Sequence, residues 1–207
     1  AVLGVVTGVF FAYAGDLPRI SALDDYAPNT ITRVLAADGQ VVAEFATERR
    51  VVVGYDDISP RLRQAIIAAE DAGFYRHVGV SMTRVIITAV EDVIKRRMAG
   101  ASTLTMQLAR GLFLTDEKTW ERKIKEALLA LQIEKRYTKR EIFTFYANQI
   151  YLGHGAYGVE AASRMYFGKR SKDLTLEEAA LIAGIIQLPQ RQSPFVDVRR
   201  ATGRRNY

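Results

Sequence analysis

From Ser59 onward apolar residues recur every three or four positions, and this rhythm limits the chain to a mainly helical fold. Ser59 is placed as a helix N-cap with Pro60 at the first helical position, because serine satisfies an open amide there and proline lacks one. Leu62, Ala65, Ile66 and Ala69 then share one face. A second helix is expected over 82–97, with Ile86, Val90, Val93 and Ile94 inward, followed by a loop around 98–101. Helices over 103–113 and 119–136 come next. Thr138 with Glu141, and Thr175 with Glu178, have the spacing of capping boxes. The first box opens a helix to about Ile150. The second opens one that is expected to stop at Pro189. Between them, 151–158 reads as a Gly-rich turn.

The only β signal lies earlier. ITRVLAADGQVVAEFA alternates around Asp38-Gly39, which predicts a hairpin whose two turn positions both need positive φ. Val51 to Val53 could add a third strand. Residues 16–30, with Pro18 and Pro28, read as a linker. The first 14 residues, AVLGVVTGVFFAYA, are uncharged and apolar. They are too few to cross a bilayer, which takes about 20. With Asp16, Pro18 and Arg19 following at once, 1–15 reads as the remnant of a transmembrane helix. The expected organisation is therefore 1–15 remnant, 16–58 linker and hairpin, and 59–207 helical domain.

Composition narrows the partners. There is no cysteine, which excludes disulfides and thiolate metal sites, and two histidines argue against a zinc site. A net charge of +6 favours anionic partners: nucleic acid, anionic lipid or a phosphorylated substrate. No aromatic stacking signature or binding motif supports nucleic acid.

Three segments carry chemistry. Glu70 and Asp71 fall where the first helix runs out, and Gly73 and Gly79 bracket Phe74 and His77. Carboxylates at a helix C-terminus oppose its dipole, so their presence suggests function, although a lone acidic pair fits a solvated turn as well. Arg122, Lys123 and Glu126 are spaced to meet on one helix face, which Leu129 and Ile133 continue. Glu126 is therefore expected to be at least partly buried, as a catalytic group or as a structural ion pair. In GASTLTMQLAR, residues 100–110, Gly100 and small hydroxyl residues open a helix whose free amides could seat a phosphate. Ser102, Thr103, Gln107 and Arg110 belong to it, and taken alone the segment reads first as an ordinary helix cap.

Taken in order, these segments resemble the peptidoglycan glycosyltransferases, glycosyltransferase family fifty-one. That family includes the N-terminal module of class A penicillin-binding proteins and the monofunctional transglycosylases. Glu70-Asp71-x-x-Phe74-x-x-His77-x-Gly79 resembles its first motif, and Gly100-x-Ser102-Thr103-x-x-x-Gln107 its second. Arg122-Lys123-x-x-Glu126 resembles the third, and Lys139-x-x-Ile142-x-x-x-Tyr146-x-Asn148 the fourth. Tyr166-Phe167-Gly168-Lys169 with LTLEEAALIAG resembles the closing segment. The likeness covers about 17–207. Met106 stands where the family usually has glutamine, and Arg110 where it often has lysine.

The resemblance implies a lysozyme-like α lobe with a small membrane-proximal jaw containing the hairpin. It implies polymerisation of lipid II into glycan strands, with inversion and release of undecaprenyl pyrophosphate. Glu70 and Glu126 are the implied catalytic residues, Glu70 as base. Asp71, Phe74, Ser102, Thr103, Gln107, Arg110, Arg122 and Lys123 are the implied substrate-binding set. A divalent metal, Mg2+ or Mn2+, is expected with the substrate pyrophosphate, with Glu126 a possible ligand. His77, Tyr146 and Asn148 are expected to be structural. Implied partners are lipid II, the growing glycan chain, membrane lipids, cell-wall synthesis proteins and the inhibitor moenomycin. RRATGRRNY resembles the start of a segment that normally continues, so a C-terminal transpeptidase domain could follow it. The implied location is the outer face of the bacterial cytoplasmic membrane, held by a single pass. A lysozyme-like hydrolase and a non-catalytic lipid II-binding module are the competing readings.

Overall fold

The structure, a computed structural model, describes residues 15, 17–24, 32–45, 49–81, 102–115, 117 and 119–206. Apart from Gly15, the expected membrane-helix remnant at 1–15 lies outside the described residues. So does the helix expected over 82–97. Among the described residues, no helix is long and apolar enough to cross a membrane. The chain divides into two compact units, each built from separate stretches of sequence: Ala1–Tyr26 with Gly73–Phe143, and Ala27–Ala72 with Thr144–Tyr207. This partition cuts across the expected boundary at residue 58.

In the unit holding Gly73–Phe143, a short 3-10 turn at Phe74–Arg76 leads to helices α2 (Leu104–Phe113) and α3 (Trp120–Arg136). Thr103 and Thr119 cap them, each accepting a backbone N–H three residues on. The two helices pack on each other. Leu104, Leu108 and Ala109 on α2, and Leu129, Ala130 and Ile133 on α3, are all buried. At the far end of α3, the Asp24 carboxylate accepts hydrogen bonds from Arg136 and from the Tyr137 hydroxyl. Burial and this carboxylate push Tyr137 up to about 12.

The other unit holds α1 (Pro60–Glu70), and Ser59 caps it as expected, accepting Leu62 N–H at 3.1 Å. Helices α5 (Val159–Phe167), α6 (Leu176–Ile185), α7 (Pro189–Gln192) and α8 (Val198–Arg205) follow. Helix α4 (Lys139–Gln149) runs from the first unit into this one. Helix α6 packs against both α1 and α8. Leu62, Ile66, Ile182 and Ile185 are fully buried there. Both expected capping boxes form, at Thr138–Glu141 and at Thr175–Glu178. The end of α6 differs from expectation. It stops at Ile185, and Pro189 opens α7 instead of terminating α6. A proline that cannot continue a helix is well suited to start one.

Strands β1 (Thr32–Leu35) and β2 (Val41–Phe45) pair antiparallel, as the alternation predicts. The turn is not the expected one, because only Gly39 has positive φ, at 82°. Gly39 N–H bonds to Ala36 O, and Ala36 N–H bonds to Gln40 O. This is a three-residue loop with a left-handed glycine, and the strand register shifts next to it. The Asp38 carboxylate meanwhile accepts Gln40 N–H at 3.0 Å. The extra strand is Arg49–Arg50 (β3), not Val51–Val53, and it pairs parallel with Ala156–Tyr157 (β4). Val53 bonds instead to a side chain. Its N–H and C=O pair with the Asn148 carboxamide at 3.0 and 2.9 Å. Asn148 is thus the brace it was expected to be, and Tyr146 is buried beside it in sequence.

Candidate active site

Helix α3 is apolar along the face that carries Leu129 and Ile133, and Glu126 stands on that same face with no solvent exposure. A carboxylate stripped of water needs compensating charge. Helical spacing supplies it twice. Lys123 Nζ donates to Glu126 Oε2 at 2.8 Å, and Arg122 Nη1 lies 3.2 Å from Oε1. Lys123 also donates to Ser102 Oγ at 2.5 Å, so the residue just ahead of the α2 cap joins the cluster. Arg122, Lys123, Glu126 and Ser102 are therefore brought together within one unit.

The arrangement is a dication fixed by one carboxylate. Its net charge is positive, and among the described residues it keeps donors in reserve. An ammonium has three N–H groups, of which Ser102 and Glu126 take two. Among the described residues, the buried Arg122 Nε has no hydrogen-bond partner. The Lys123 side chain is 33% exposed, enough to meet a ligand. Such preorganised cations suit an anion that develops or departs as pyrophosphate does.

The remaining residues expected at the site divide by burial. Gln107 and Arg110 on α2 are part-exposed. Thr103 is fully buried, and its hydroxyl is spent on Met106 N–H and on Gly79 O at 2.5 Å. Phe74 is also fully buried, so its ring has no open face for a ligand. Lys139 Nζ sits 4.5 Å over that ring, and His77 meets the ring edge-on. Met106 is buried in the core, which accounts for an apolar residue where the resemblance leads one to expect glutamine. Glu70 and Asp71 belong to the other unit. Glu70 ends α1 and is 8% exposed. Asp71 is the buried C-cap, donating its N–H to Ile67 O at 2.9 Å. The acidic pair thus stands at the helix C-terminus, as the sequence indicates.

A divalent metal does not fit Glu126 as a protein ligand. Oε2 accepts from Lys123, and Oε1, without a hydrogen bond among the described residues, lies 3.2 Å from the Arg122 guanidinium, so a metal ion there would meet two positive charges, whereas Mg2+ or Mn2+ seeks several carboxylate oxygens. Among the described residues, no three His, Asp or Glu side chains gather elsewhere to replace it.

Thr105, Glu134 and, beyond its place in a motif, Lys139 have partners that periodicity and motif order do not indicate. Glu134 Oε1 accepts from Thr105 Oγ1 at 2.6 Å and from Lys139 Nζ at 2.7 Å. The available signal was the spacing of Glu134, eight residues beyond Glu126 and so near the same buried face of α3.

The domain is mainly helical, with a buried carboxylate flanked by two cations in one unit and a buried acidic pair in the other. The chain belongs to the transglycosylase family, whose profile matches residues 38–207. Penicillin-binding protein 1A of Vibrio cholerae is 42% identical over 210 residues, covering 99% of this chain and 25% of that protein. The proteins of the same name from Pseudomonas aeruginosa and Aquifex aeolicus are 41% and 40% identical, with 26% and 29% of their lengths covered. The chain thus spans about a quarter of the length of the curated relatives it matches. The crystal structure of penicillin-binding protein 1A from Haemophilus influenzae aligns over 87% of this chain and 17% of that one, at 24% identity and a TM-score of 0.45.

Proposed function

We propose that this domain is a peptidoglycan glycosyltransferase that polymerises lipid II, with the Arg122–Lys123–Glu126–Ser102 cluster receiving the pyrophosphate. That cluster, in a member of the transglycosylase family, is the observation that carries the reading. The acceptor is the C4 hydroxyl of the incoming N-acetylglucosamine, a weak nucleophile that needs a base. Glu70 is assigned that proton. The hydroxyl oxygen attacks the anomeric carbon of the donor, inverting it, and the bond to undecaprenyl pyrophosphate breaks. The leaving group departs as a stable anion and needs cations more than an acid. Arg122 and Lys123 supply them, with Arg110 further along α2, while Glu126 keeps the pair in place. No step is assigned to a metal. A hydrolase that expels a neutral sugar would have no use for this dication, which favours the transferase.

A lipid-borne substrate sets the domain at the outer face of the cytoplasmic membrane, held by a single pass. A penicillin-binding transpeptidase elsewhere in the full-length protein is part of the same proposal.

The test incubates the detergent-solubilised chain with labelled lipid II, beside Glu70→Gln, and resolves the products on a gel. A ladder from wild type only, erased by a muramidase, is expected. Near-wild-type polymer from Glu70→Gln would remove Glu70 as base, and no polymer from wild type would overturn the function.

A further inference from the structure

Lys123 reaches both Glu126 and Ser102 only if α2 and α3 keep one fixed offset, because the first partner lies on α3 and the second just ahead of α2. Three side chains outside the anion site hold that offset. Thr105 on α2 donates to Glu134 on α3 at 2.6 Å. The same Glu134 oxygen takes Lys139 Nζ at 2.7 Å, and Lys139 also donates to His77 O at 2.7 Å. With the Phe74 ring at 4.5 Å, the ammonium has three acceptors for its three donors. The loop ending at Gly79 is in turn bound to the α2 cap through Thr103. Gly79 lies so close to α3 that a Cβ on it would meet Ala130 O at 2.8 Å. The contacts form a closed circuit: α3 to loop, loop to α2 cap, α2 back to α3.

We propose that Thr105, Glu134 and Lys139 are positioning residues that set the Ser102–Lys123 anion site through this circuit. The proposal rests on the reading of that site as the pyrophosphate receiver. Thr105 is buried, the Glu134 side chain is 5% exposed, and the Lys139 ammonium is engaged by His77 O, Glu134 and the Phe74 ring, so the three act through their contacts with one another and not on a ligand. Polar contacts of this kind couple the residues they join, and a second change on the same path adds nothing once the path is cut.

Thr105→Val opens the circuit at one hydrogen bond, with shape kept and the Glu134–Lys139 charge pair intact. The probe is inorganic pyrophosphate, titrated calorimetrically into the whole chain. Thr105→Val is expected to weaken binding about tenfold, the scale of a hydrogen bond to a charged group. Thr105→Ser, which restores the hydroxyl, is expected to bind within about twofold of wild type, and Thr105→Val added to Ser102→Ala is expected to cause no further loss. Wild-type affinity in Thr105→Val, no rescue by Thr105→Ser, or an additive loss with Ser102→Ala would each overturn the proposal. A wild-type chain that binds no pyrophosphate would instead overturn the underlying anion-site reading, an outcome separable because the other three require wild-type binding.

Discussion

At the scale of single residues, buried carboxylates organise this protein. Glu126 is answered by Lys123 and Arg122, and the pair is only as good as its weaker member. Arg122→Ala is therefore expected to weaken binding of inorganic pyrophosphate by about tenfold or more, since buried charge-assisted contacts count for more than exposed ones. Unchanged affinity by titration would take Arg122 out of the phosphate site. Glu160 is a second case, with a structural task. It is buried on α5 and accepts from Ser171 N–H, the Ser171 hydroxyl and Arg164 at 2.7–2.8 Å. Burial opposes its ionisation, but Ser171 and Arg164 outweigh burial and hold its carboxyl below the usual range. A depressed folded value means stability that is present above the unfolded value of about 4.3 and lost as pH falls through the folded one. Glu160→Gln is expected to cost about 1.5–3 kcal/mol near neutrality. The gap from wild type should narrow toward about pH 3 in denaturant melts, and a gap constant with pH would contradict the assignment.

At the scale of elements, side-chain caps fix the helix starts. Thr175 and Glu178 satisfy each other's backbone amides at the start of α6, and Glu178 also holds Lys169 at 2.7 Å. Thr175→Ala should cost about 1 kcal/mol in equilibrium unfolding, the usual worth of a cap. An unchanged midpoint would show that packing of α6 on α1 and α8 carries that terminus unaided. These starts were legible because a cap is a local event, settled within four residues. The end of α6 was not, since Pro189 is equally compatible with a stop and a start. Nor was β3, whose two residues pair with Ala156 and Tyr157 more than a hundred positions away. The hairpin was readable from alternation, but its turn was not. Only Gly39 takes positive φ, and Asp38 turns its carboxylate to Gln40 N–H instead.

At the scale of the whole molecule, the net charge of +6 acts at long range. At low salt the chain should sediment with anionic phosphatidylglycerol vesicles more than with neutral phosphatidylcholine ones. Roughly 0.5 M salt should remove the difference, because screening then acts within a few ångströms. Equal binding to both vesicles would show that apolar contact governs the association. The sequence by itself determined the helical class, the hairpin, the helix caps, the family, and the meeting of Arg122, Lys123 and Glu126 on one face. All of these follow from periodicity, from chemistry within a few residues, or from motif order. Only the tertiary structure decided that Ser102 joins Lys123, that Phe74 and Thr103 are buried, and that Glu134 takes both Thr105 of α2 and Lys139. It also decided that each unit is assembled from distant stretches of chain. Such facts depend on which faces pack together, and a side chain's burial and partners are set by neighbours that its own stretch of sequence does not contain.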